Sequence, residues 1–158
     1  MKSKLVIIIA GNIASGKSSL AKVLAQKLAG FTILSMDAER WASSGEGLAR
    51  EQAAGHALLQ KLLQHERIIY ETTAFGKNYQ VAMRLLAKEK AKLVQLKLHC
   101  HPDECLRRYR ERGYHPPMPF QFEIEDSLWK IHANLQRVPG ITLDSQQHSP
   151  EALATQIL

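Results

Sequence analysis

The sequence predicts a three-layer α/β fold: a five-stranded, mainly parallel sheet with helices on both faces and a short lid. Three observations carry this. Five short apolar runs recur along the chain, helical patterns separate them, and a glycine-rich stretch links the first run to the first helix. The runs are LVIIIA (5–10), FTILS (31–35), RIIYE (67–71), KLVQLKL (92–98) and GITLD (140–144). They are β-branched or leucine-rich and nearly continuous, as strands covered on both faces must be. Strands that alternate with helices are joined by right-handed crossovers.

Taken in order, each element has a local cause. Lys2 and Lys4 ahead of LVIIIA resemble the start of a secretory leader, yet six apolar residues fall short of the roughly 7–15 that a leader needs. The first helix follows from Leu20, Leu24 and Leu28 at four-residue spacing, and a later one from Leu58, Leu59, Leu62 and Leu63. Pro102-Asp103-Glu104 begins another helix: proline there loses no needed N–H, and the acids meet the helix dipole. Gly113 can close that helix. Ile124, Leu128, Ile131 and Leu135 repeat along one helix face. Pro139-Gly140 turns into the last strand, and Ser149-Pro150-Glu151 starts the final helix. The 158 residues suit one domain, 1–158, with a lid over approximately 107–121.

The stretch between the first strand and the first helix is GNIASGKS, residues 11–18. Glycine, four residues, glycine, lysine, serine is the spacing of a phosphate loop. Gly11 and Gly16 permit backbone conformations that turn successive N–H groups inward, making an anion nest at a helix N-terminus. Lys17 reaches the β- and γ-phosphates, and the Ser18 hydroxyl ligates Mg²⁺. The nucleotide-binding set is therefore Gly11, Asn12, Ala14, Ser15, Gly16, Lys17, Ser18 and Ser19, with ATP and Mg²⁺ as the expected cofactors. This makes the expected fold a P-loop NTPase.

Composition narrows the setting. A net charge of +6 suits a polyanionic partner, although ATP alone uses several of these charges. Between Arg84 and Arg112, nine lysines and arginines face four acids; a solvated helix face accounts for Lys88, Lys90 and Lys92. Two cysteines, Cys100 and Cys105, make no disulfide framework and fit a reducing cytoplasm. No apolar run reaches the length of a membrane span. His99, Cys100, His101 and Cys105 cluster in sequence, but C-x₄-C without a second pair does not match a structural zinc site. Trp41 and Trp129 read as packing residues rather than stacking platforms.

Phosphoryl transfer needs an acceptor side as well as a cradle. The second strand runs into SMDAER, which sets Asp37 on the same sheet edge as the phosphate loop, with Arg40 one helical turn on. Asp37 is placed to accept the proton of an attacking hydroxyl, and Arg40 to hold a phosphate or carboxylate of the acceptor. A helix-capping Asp37 beside a solvated Arg40 is the bland alternative. The third strand ends at Glu71, where an acid joins the metal shell through water, and Thr72 and Thr73 follow as substrate contacts. Arg107, Arg108, Arg110 and Arg112 run along a helix into a proline-rich loop. Such a lid brings cations onto the transferring phosphate, and Arg108 and Arg112 share one face. The expected catalytic set is Lys17, Asp37, Arg108 and Arg112.

Assembled, these residues resemble the small P-loop kinases of the polynucleotide-kinase-like, zeta-toxin-like group, with its AAA-type ATP-binding core, over nearly the whole chain. GNIASGKS matches their phosphate loop and SMDAER the Asp-x-x-Arg of polynucleotide 5′-kinases. The resemblance implies a general base at Asp37 and a substrate-phosphate contact at Arg40. RRYRER resembles the group's lid arginines, and TLDSQQHSPEAL its closing strand and helix, which implies that Asp144-Ser145 lies near the adenine. Many relatives carry aspartate where Glu71 stands. The expectation is an ATP-dependent kinase acting on a hydroxyl, either a polynucleotide 5′-OH or that of a small metabolite, sugar or antibiotic. A nucleotide-dependent switch or ATP-binding module without an acceptor is the reading from another class.

Overall fold

The computed structural model describes residues 3–113, 115–118 and 122–158. Among these, five strands and seven helices alternate as β1 (Leu5–Gly11), α1 (Lys17–Lys27), β2 (Thr32–Ser35), α2 (Met36–Ala42), α3 (Gly47–Gln64) and β3 (Arg67–Thr72), then α4 (Lys77–Lys88), β4 (Lys92–His99), α5 (Pro102–Arg112), α6 (Ile124–Leu135), β5 (Ile141–Asp144) and α7 (Pro150–Ile157). The expected lid lies partly outside the described residues, at 114 and 119–121.

The sheet order is β2-β3-β1-β4-β5. Every pairing is parallel, beyond the expected mainly parallel arrangement. Alternation along β1 explains its unbroken apolar run. Ile7 and Ile9 face Leu20 and Leu24 of α1 and Leu153 of α7. Val6 and Ile8 face Leu58 and Leu62 of α3 and Leu86 of α4. A central strand with two covered faces admits no polar alternation.

The helix boundaries have visible causes. Ser35 caps α2, its Oγ accepting from Ala38 N at 3.1 Å, so the cap is Ser35 and not Asp37. His101 caps α5 by accepting from Asp103 N at 3.1 Å, and Gly113, at φ 69°, closes that helix in the left-handed region. Ser149 caps α7 through Ala152 N at 3.1 Å.

The two tryptophans depart from the sequence reading: Trp41 and Trp129 are 54% and 52% exposed. On α6, Leu128, Ile131 and Leu135 take the buried face, which leaves position 129 on the outside, edge-on to His101 and His132. On α2 the buried residue is Glu39, held by Lys61 at 2.6 Å, and Trp41 turns outward.

Candidate active site

The strand order reverses around β1, and there the loop 12–16 leaves the carboxyl edge of the sheet. That is where open parallel sheets bind ligands. Gly11 and Gly16 serve it in different ways. Gly16 has φ 100° and supplies a left-handed backbone. Gly11 has an ordinary φ, contrary to expectation, and is needed for space. A Cβ there would stand 2.6 Å from Ser15 Oγ and 3.2 Å from Leu98 Cβ. The second left-handed residue of the loop is Ala14, at φ 59°.

Asn12 is buried, and its side chain is committed to α6. Nδ2 donates to the Leu128 carbonyl at 2.8 Å and Oδ1 accepts from Ile13 N at 2.9 Å. Its backbone carbonyl accepts from Lys17 Nζ at 2.6 Å. Burial lowers the Lys17 pKa, while the charges of Glu71 and Asp37 oppose that shift. Ser15 is buried, and Ser18 and Ser19 are exposed at the start of α1.

Glu71 lies in register with Ile9 of β1 and Ser35 of β2, so it sits in the middle of the edge. It is buried and accepts from Ser18 Oγ at 2.7 Å. Burial raises its pKa against the pull of Lys17 and the Ser18 hydrogen bond. A desolvated carboxylate bonded to the loop serine is an oxygen pair that suits Mg²⁺, which keeps several waters and takes few protein ligands. Among the described residues no cluster of three or more His, Cys, Asp or Glu could hold a metal. Thr72 accepts from Ala74 N at 3.0 Å, within a turn that also bears left-handed Ala74 and Gly76. Thr73 is half-buried in that turn.

Asp37 is half-exposed, and its charge bears on both Lys17 and Glu71. Its Oδ1 accepts from Arg40 Nη1 at 2.7 Å. The rest of the Arg40 guanidinium is taken by Glu51 of α3, through Nε at 2.9 Å and Nη2 at 2.7 Å. Both members of that bidentate pair are largely buried, at 17% and 16% exposure. Burial alone would lower the Arg40 pKa, but the two carboxylates outweigh it and raise it. Sequence reasoning missed Glu51, because it lies eleven residues from Arg40 on another helix.

The four arginines of α5 divide by face. Arg107 pairs with Glu104 and Glu111, and Arg110 with Glu125, all at the surface. Arg108 turns inward. It bonds Glu104 at 3.0 Å, the Ser15 carbonyl at 3.4 Å and the Ser145 carbonyl at 3.1 Å, tying α5 to the phosphate loop and to the loop after β5. Arg107 and Arg108 together hold Glu104 down at about 2. The charge of Arg112 reaches Lys17, and its guanidinium lies 5.2 Å from the Tyr109 ring. Asp144 Oδ1 accepts from Gln146 N at 2.9 Å and Gln147 N at 3.1 Å, which shapes the loop beside Arg108. Cys100, just after β4, and Cys105, on the inner face of α5, are both buried against Leu128 of α6.

A five-stranded parallel sheet of this order, with its phosphate loop at the reversal point, defines a P-loop protein of the kinase-like fold class. The family description of the AAA domain matches residues 7–128, and the chain belongs to that family. No curated protein matches it. Among solved structures, shikimate kinase from Acinetobacter baumannii in complex with shikimate aligns with a TM-score of 0.68 at 19% identity, over 99% of this chain and 92% of that one. A gluconokinase from Sinorhizobium meliloti 1021 gives 0.65 at 18%, over 100% and 91%. A chain of the Pnkp1/Rnl/Hen1 RNA repair complex gives 0.66 at 16%, over 87% and 45%. At these identities the likeness is one of fold.

Proposed function

We propose that this chain is an ATP-dependent kinase that moves the γ-phosphate of ATP to an acceptor hydroxyl. One observation carries the reading: Lys17, the Ser18–Glu71 pair and Asp37 converge on the carboxyl edge of three neighbouring strands. In this reading the loop N–H groups and Lys17 hold the β- and γ-phosphates. Ser18, with Glu71 through water, would hold Mg²⁺, which when bound would offset phosphate charge. Asp37 takes the proton of the acceptor hydroxyl, whose oxygen bonds to the γ-phosphorus. The bond from that phosphorus to the β–γ bridging oxygen breaks, and ADP leaves. Arg112 and Arg108 add positive charge from α5, at the base of a lid over 107–121. Asp144, Ser145 and Arg108 border the side of the phosphate loop that the nucleoside would use.

The acceptor is either a polynucleotide 5′-OH, supported by the Asp37–Arg40 spacing, or a small hydroxyl compound. The second gains support from a cleft of about 160 Å³ lined by Gly45, Glu46, Gly47, Arg50, Glu51, Pro117 and Met118. That is smaller than the usual ~300–1,000 Å³ ligand pocket. The test is transfer of labelled γ-phosphate to 5′-OH oligonucleotides, nucleosides, sugars and aminoglycosides at two salt concentrations. A labelled oligonucleotide whose yield falls steeply with salt supports the nucleic-acid acceptor, and a labelled small molecule supports the other. ATP binding without transfer to any acceptor would favour the switch.

A further inference from the structure

The resemblance to polynucleotide 5′-kinases implies an Arg40 that is available to an acceptor phosphate. Here the guanidinium is already engaged on three of its nitrogens. Glu51 takes Nε and Nη2 in a bidentate pair at 2.9 and 2.7 Å, and Asp37 takes Nη1 at 2.7 Å. An acceptor phosphate would have to exchange two charge-assisted hydrogen bonds for two of the same kind, while leaving the Glu51 carboxylate largely buried without its partner.

The neighbouring charges point the same way. Glu51 also lines the cleft between the start of α3 and residues 117–118, together with Glu46 and Arg50. Arg50 is tied back as well, its Nε donating to the Arg40 carbonyl at 3.1 Å. The charged residues that line the cleft are Glu46, Glu51 and Arg50, two carboxylates against one guanidinium. An anion entering there meets a net negative wall, and a neutral or cationic hydroxyl compound does not.

We propose that Glu51 is a specificity-determining residue that occupies Arg40 and so sets the acceptor site for hydroxyl compounds without a phosphate, polyols or amino alcohols. This rests on the kinase reading for what the site is used for. The occupation of Arg40 is testable by itself. The phosphate loop is saturated with a non-hydrolysable ATP analogue and Mg²⁺, and inorganic phosphate is then titrated by calorimetry into the full chain and its variants. Glu51→Gln keeps the shape and removes the charge, and Glu51→Ala is the second variant should Gln fail to fold.

The expected result is that either variant binds phosphate at least tenfold more tightly than wild type, a gain abolished when Arg40→Gln is added. Two results overturn the proposal: wild type binding phosphate as tightly as the variants, or a gain that persists without Arg40. In parallel, kcat/KM is compared for a nucleoside and its 3′-monophosphate, and Glu51→Gln should shift that ratio toward the phosphate at least tenfold. If no protein labels any acceptor, the kinase reading fails, while the phosphate titration still decides the role of Glu51.

Discussion

Glu71 is the residue at which stability and function pull apart. Burial raises its pKa in the folded chain above the ordinary 4.5. The folded state therefore binds the proton more tightly than the unfolded one, and stability falls as pH rises from 4.5 through the folded value. Glu71→Gln should melt higher than wild type without ligand at pH 7, with the difference vanishing below about pH 4. It should at the same time weaken Mg²⁺-dependent nucleotide binding, as titration with and without the metal would measure. A second prediction concerns space. Gly11→Ala pushes a methyl group to 2.6 Å from Ser15 Oγ and should cost about 1–3 kcal/mol in chemical denaturation. Nucleotide affinity should drop with it. The phosphate loop was legible in the sequence because its spacing is a chemical requirement. The different uses of Gly11, Ala14 and Gly16 were not, since both glycines look alike until Leu98 and Ser15 are packed beside the first.

Single hydrogen bonds hold the elements of the candidate site in place. The short helix α2 carries Asp37 and Arg40, and the Ser35 cap fixes where it starts. Ser35→Ala should cost about 1 kcal/mol of stability in a denaturant titration. It should also lower kcat more than it raises the KM for ATP, because the cap orients Asp37 and not the phosphate loop. Strand positions were readable from apolar runs, and the α5 and α7 starts from Pro102-Asp103-Glu104 and Ser149-Pro150-Glu151, though not the His101 cap. The pairing of α2 with α3 was not. Glu51 reaches Arg40 only because α3 folds back along α2, a tertiary fact without a local spacing signature. The outward Trp41 shares that cause, since which face of α2 is buried depends on what packs there, whereas Trp129 is outward because Leu128, Ile131 and Leu135 take the α6 face that their spacing had marked.

At the scale of the whole molecule, the parallel sheet brings residues from positions 17, 37 and 71 to one edge, beside a helix whose arginines divide between solvent and site. Ligand linkage should be visible globally. ATP with Mg²⁺ at 100 times its Kd should stabilise the chain by about 2.7 kcal/mol, and Lys17→Ala should abolish the rise in Tm. No helix among the described residues is long and apolar enough to cross a membrane. The most direct test of the account follows labelled γ-phosphate in wild type and Asp37→Asn, with ATP affinity measured on the same preparations. The expected result is a label in a hydroxyl acceptor, a loss of at least about 100-fold in the variant, and unchanged ATP affinity. Transfer by Asp37→Asn at the wild-type rate would contradict it.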